Sequence, residues 1–114
     1  GHVDVVEALG RLKADVNTAR NDGATPLFMA SQNGHVHVVE ALGRLNADVN
    51  MAKRNGCTPL YIAAEQGHVP VIESLARLKA NVWTAFSGWS PLKIALHYKH
   101  AEAAAALRRA GARE

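Results

Sequence analysis

Asp22-Gly23-Ala24-Thr25-Pro26-Leu27-Phe28-Met29-Ala30-Ser31-Gln32-Asn33-Gly34-His35, running on through Val36 to Asn50, is the stretch that decides the fold. Much of it returns 33 residues later. Thr25-Pro26-Leu27 comes back as Thr58-Pro59-Leu60, and Gly34-His35 as Gly67-His68. Ala47-Asp48-Val49-Asn50 in turn repeats Ala14-Asp15-Val16-Asn17. A fixed period of this size means stacked units, each a supersecondary pair too small to bury a core of its own.

Each unit carries its own start and stop signals. Thr25 is a good N-cap, and Pro26 fits the first helical turn, where its missing N–H is harmless. Gly34 accepts a left-handed backbone cheaply and ends the helix. The pattern predicts a first helix over 26–33 and a second over 36–45, then a loop over 46–57 and helices over 59–66 and 69–78. Upstream, Val5, Val6, Leu9 and Leu12 share one helical face, so residues 3–12 read as a second helix lacking its first. Glu7/Arg11, Glu40/Arg44 and Glu73/Arg77 recur at i,i+4. Such pairs form solvated ladders worth about 0.2–0.5 kcal/mol each.

Gly-x-Thr-Pro-Leu, Ala-Ala/Ser-x-x-Gly-His, Val-Val-Glu-x-Leu and Ala-Asp-Val-Asn, in that order, resemble the ankyrin repeat over nearly the whole chain. The resemblance implies an all-α ankyrin-repeat solenoid: stacked helix-turn-helix pairs joined by hairpin-like loops. It divides one domain, 1–114, into a half repeat at 1–13, repeats at 14–46 and 47–79, and a C-terminal capping repeat at 80–114.

The last repeat departs from the others. Its loop, Lys79 to Trp89, is one residue shorter, because Ser90-Pro91-Leu92 follows Thr58-Pro59-Leu60 by 32 residues. Lys99-His100 stands in place of Gly-His, and a final helix is expected over 101–110, with Arg108 and Arg109 near its C-terminus. Terminal repeats are expected to be atypical because one face meets water. The leading half repeat has no such cap. The chain is therefore expected to be a fragment of a longer array, or to pair through its N-terminal face with another copy.

Second-helix ends also depart from the family. Its usual second Leu is Gly10, Gly43 or Ala76, and its usual terminal Gly is Lys13, Asn46 or Lys79. A helical Gly costs about 1 kcal/mol against Ala. A left-handed Lys costs about 1–2 kcal/mol. Leu12, Leu45 and Leu78 are placed to restore apolar contact one turn later.

Composition narrows the function. Aromatics are few, so the core is Ala, Val and Leu, as short, tightly stacked helices require. No run of 18 apolar residues marks a membrane span, and Gly1-His2-Val3-Asp4 lacks the features of a signal peptide. The single cysteine, Cys57, cannot form an internal disulfide and fits a reducing compartment. The expected setting is intracellular, in the cytoplasm. The formal charge is only +3, with positive residues read as spread. That does not suggest nucleic acid, which leaves a concentrated basic stripe.

Nothing in the sequence assembles a catalytic group, a metal site or a cofactor site. Cys57 has no readable base and orienting partner. The recurring His2, His35, His68 and His100 carry, by resemblance, hydrogen bonds to neighbouring loop backbones. His35 and His37 diverge at i,i+2, and His97 and His100 straddle a helix end. Gly-rich phosphate loops are missing, and Gly88-Trp89-Ser90 lacks the second glycine of a nucleophile elbow.

What remains is binding. In ankyrin repeats the partner surface is built from loop tips and the exposed side of the first helices, which line a concave groove. Carried over, this gives Arg20, Asn21 and Asp22 with Gln32 and Asn33, then Lys53, Arg54 and Asn55 with Glu65 and Gln66, then Phe86 and Trp89 with His97 and Tyr98. The family's loop Asp is replaced by Arg20, Lys53 and Phe86, and its His after Thr-Pro-Leu by Phe28, Tyr61 and Lys93. Those changes are expected to make the groove side basic and partly aromatic. Trp83, Phe86 and Trp89 either anchor a partner or fold over the short loop. The implied partner is a protein, acidic or offering an apolar anchor site. The alternative is a structural solenoid segment that spaces or self-associates.

Overall fold

The structure, a computed structural model, describes residues 19–113. The half repeat expected at 1–13, with His2, Lys13 and the N-terminal pairing face, lies outside the described residues. The described chain forms six helices: α1 (Pro26–Asn33), α2 (Val36–Arg44), α3 (Pro59–Gln66), α4 (Val69–Arg77), α5 (Pro91–His97) and α6 (Ala101–Arg109).

Three helix starts follow one design. The hydroxyls of Thr25, Thr58 and Ser90 each accept from the backbone N–H three residues on, at 3.1 Å, and a proline fills the first turn. Gly34 and Gly67 end α1 and α3 with φ of 74° and 73°. At the matching place after α5, Lys99 takes φ 62° with a side chain attached.

First helices pack on first helices (α1 on α3 on α5) and second helices on second helices (α2 on α4 on α6). The result is a two-layered pile of pairs. Leu27, Leu60 and Leu92 fill one layer of the core, and Leu42, Ile72, Leu75 and Leu107 the other. Ala63, Ala64, Ala95 and Ala104 are fully buried between them, which is how such short helices come close enough to stack.

Second helices end one residue earlier than their pattern suggests. Leu45 and Leu78 leave the helix, and Asn46 and Lys79 turn left-handed at φ 64° and 68°. Ala47 N–H then donates back to Leu42 O, and Ala80 N–H to Leu75 O, both at 3.0 Å, which satisfies carbonyls the helix end would strand. Leu78 does supply the apolar contact expected of it. It lies over Gly43 of the preceding repeat, so closely that a Cβ on Gly43 would sit 2.7 Å from Leu78 Cδ2. Gly43 therefore serves as a socket, which accounts for a helical glycine that propensity disfavours.

The expected ladder of i,i+4 pairs is corrected for Glu73 and Arg77. Glu73 meets Arg109 of the next repeat at 3.7 Å, while Arg77 donates to the buried Ser74 Oγ at 3.1 Å. Stacking offers Glu73 a cation across the repeat boundary, and Arg77 a hydroxyl one turn behind it.

Candidate functional site

Each loop ends in a tight tip whose two sides exchange backbone hydrogen bonds. Arg20 N–H donates to Ala24 O and Gly23 N–H to Arg20 O, and Lys53, Gly56 and Cys57 repeat this arrangement. Three residues lie inside each of these tips. The Asp22 carboxylate and the Asn55 carboxamide each brace their own tip by accepting from the N–H two residues on, at 3.0 Å. In the last loop Phe86 and Trp89 exchange both bonds directly, with Ser87 at φ 53° and Gly88 at φ 83° between them. Two positive φ values in a two-residue tip make the mirror-image turn that suits a hairpin. The residue missing from this loop is the bracing Asp/Asn.

The tips are tied to their neighbours. Arg54 N–H donates to Asp22 O at 3.1 Å. Asp22 also holds Arg20 at 2.8 Å and Lys53 at 3.5 Å. The Arg20 hydrogen bond and the Ala24 N–H keep its carboxyl well below the usual carboxylate range, and the same contact raises the Arg20 guanidinium. At the opposite end of the first helices, His68 Nε2 donates to Gln32 O and His100 Nε2 to Glu65 O, each at 3.0 Å. These two histidines thus bond to neighbouring backbone as the resemblance implied, but at the last turn of a helix rather than in a loop. On the loop floor Asn50 Oδ1 accepts from Asn81 N–H at 2.8 Å.

Three groups of the expected residues are in contact among themselves: Asp22 with Arg20 and Lys53, Glu65 with Gln66, and Trp89 with His97 and His97 with Tyr98. Arg20, Asn21, Asn33, Arg54, Asn55, Gln66, Trp89, His97 and Tyr98 are exposed. Asp22, Gln32, Lys53, Glu65 and Phe86 are half-buried. The expectation that Phe28 and Tyr61 make this side aromatic is corrected: both rings are buried. Lys53 Nζ sits 5.3 Å from the Phe28 ring centre, and Phe86 packs edge-on against Tyr61 at 5.1 Å. A loop residue of each following repeat therefore covers the ring of the repeat before it. In the aromatic loop Phe86 folds inward, while Trp83 and Trp89 stay open.

Two features were not drawn from the sequence. Positive charge is not spread: residues 1–79 hold eight basic and eight acidic side chains, and residues 80–114 hold five and two, so the whole net charge of +3 lies in the last repeat. Among the described residues, the exposed large hydrophobic side chains, Trp83, Trp89, Leu96 and Tyr98, are there too. A charge count by repeat would have revealed the first. The second depends on which residues a neighbour covers, which only the stacking settles.

Cys57 is buried, and burial pushes its thiol up to about 11, well above neutral pH. Among the described residues no group of three or more His, Cys, Asp or Glu could hold a metal ion. Nor is any helix there long and apolar enough to cross a membrane.

A repeating helix pair, a hairpin tip and a His that clasps the preceding repeat are the marks of one family, and the family model for ankyrin repeats, in three copies, matches residues 1–85 and 45–113. The chain belongs to the ankyrin-repeat family. Ankyrin repeats are generally protein–protein interaction modules and typically non-catalytic. No curated protein matches the chain.

Proposed function

We propose that this ankyrin-repeat chain is a non-catalytic module that takes a protein partner on its loop tips and on the concave side of α1, α3 and α5. The supporting observation is the chain of bonds along that side: Arg54 N–H to Asp22 O, His68 to Gln32 O and His100 to Glu65 O. Backbone held in this way is ordered before a partner arrives, so association costs less entropy.

Arg20, Asn21, Asn33, Arg54, Asn55, Gln66, Trp89, His97 and Tyr98 are the proposed contacts. Asp22, Gln32, Lys53, Glu65 and Phe86 set their positions and line the floor. The partner is a protein, acidic or with an apolar anchor, rather than nucleic acid or membrane, and the setting is intracellular, in the cytoplasm. A second copy would meet the N-terminal face, outside the described residues.

Affinity purification with the wild type beside Arg54→Glu/Trp89→Ala tests this. A protein retained by the wild type and lost by the variant supports it. If nothing is retained specifically and the chain sediments as a self-assembled species, the proposal is overturned in favour of a structural spacer.

A further inference from the structure

The end of the stack formed by the last repeat is uncovered at positions that inner repeats bury. Cys57 is 5 % exposed and Ala64 0 %, whereas their equivalents Trp89 and Leu96 are 40 % and 38 % exposed. Phe28 and Tyr61 lie under Lys53 and Phe86 of the following loop, whereas their equivalent, Lys93, is exposed. Trp83, in the same loop as Trp89, is 64 % exposed.

The last repeat differs from the inner ones where they receive the following repeat. Gly34 and Gly67 receive the next repeat's His so closely that a Cβ would stand 2.8 and 2.7 Å from its Nδ1. Lys99 carries a Cβ at that position with the same left-handed backbone.

What the face does offer is rings and cations, with Glu102, three residues beyond Lys99, as the acidic residue next to them in the sequence. Trp89 packs on His97 at 5.0 Å, and His97 on Tyr98 at 4.9 Å. Lys93 lies one turn before His97 on α5, and Lys99 follows Tyr98. No Asp or Glu occurs between Glu73 and Glu102. The nearest groove carboxylate, that of Glu65, is held by Gln66 Nε2 at 3.4 Å.

We propose that this end face docks an acidic segment of a partner protein, with carboxylates on Lys93 and Lys99 and an apolar side chain against Trp89 and Tyr98. The proposal rests on the interaction-module reading and names the partner's chemistry. Single-stranded nucleic acid also favours rings beside cations, but base stacking needs successive open faces. Here the rings meet at 56° and 73°.

The chain has two tryptophans, Trp89 on this face and Trp83 in the same loop, so intrinsic fluorescence reads the site. The full chain is titrated with a Glu/Asp peptide centred on Phe-Leu, with its Gln/Asn counterpart, and with oligothymidylate. The acidic peptide is expected to shift the emission saturably and to bind at least about tenfold more tightly than the amide peptide. Lys93→Glu/Lys99→Glu should remove that preference, and Trp89→Ala should weaken binding about thirtyfold. Circular dichroism confirms that the variants are folded. No saturable shift, equal binding of the amide peptide, or tighter binding of oligothymidylate overturns the proposal. If binding survives Lys93→Glu/Lys99→Glu but is lost in Arg20→Glu/Arg54→Glu, the end face is wrong and the groove reading stands. If the affinity purification above also retains nothing, both fall.

Discussion

Leu78 of one repeat occupies the space that Gly43 of the preceding repeat leaves open, with Cδ2 2.7 Å from where a Cβ would stand. The pair turns two departures from the family into one interlock, in which a missing Leu in α2 is answered by an added Leu at the end of α4. Gly43→Leu should destabilise by about 1–3 kcal/mol through overpacking. Leu78→Ala, at a half-buried site, should cost about 1–2 kcal/mol. In the double variant the new Leu fills the vacated space, so at least about 1 kcal/mol should be recovered relative to the sum. Urea denaturation of the four proteins measures this; strict additivity would mean that the residues do not interlock.

Lys79 pays for its left-handed backbone at a position where Gly111 serves the last repeat. Lys79→Gly should therefore raise stability by about 1 kcal/mol, offset in part by the greater freedom of glycine in the unfolded chain. Thermal melts should show a higher Tm. An unchanged or lower Tm would show that the side chain compensates in some other way.

Ser31 is fully buried and its Oγ has no hydrogen-bond partner. The equivalent residue one repeat on is Ala64. Ser31→Ala should be neutral to stabilising by about 1 kcal/mol, because it removes an unsatisfied hydroxyl without opening a large cavity. Denaturation midpoints decide the sign, and a clear loss of stability would reveal a partner for the hydroxyl.

Cys57 should resist thiol reagents at neutral pH until the chain unfolds, since burial holds its proton to about 11. The sign of the linkage follows. In the unfolded chain the thiol ionises near its ordinary value of about 8.5. Stability is therefore unaffected below that pH and falls as pH rises from there towards the folded value. Labelling at graded urea should track unfolding. Rapid labelling of the native protein would contradict the burial.

Local signals were legible in the sequence, and contacts between repeats were not. Thr25-Pro26 with Gly34, and Thr58-Pro59 with Gly67, mark α1 and α3 to the residue because cap, proline and glycine act within one helix. Left-handed Asn46 and Lys79 could be anticipated from what the family places there. The burial of Phe28 under Lys53, the pairing of Glu73 with Arg109 and the socket at Gly43 each depend on how closely two repeats stack. For the expected groove positions, the burial of Phe28 and Tyr61 was decided by the next repeat's loop, which the sequence did not disclose.

The central claim is that the loop tips and the concave side of the first helices form the partner surface. Its most direct test is a map of backbone amide shifts when a ligand retained in the affinity purification is added to labelled chain. The account predicts perturbations at the tips, 20–24, 53–57 and 86–89, and along the exposed side of α1, α3 and α5, with α2, α4 and α6 undisturbed. Perturbations confined to α2, α4 and α6 would contradict it.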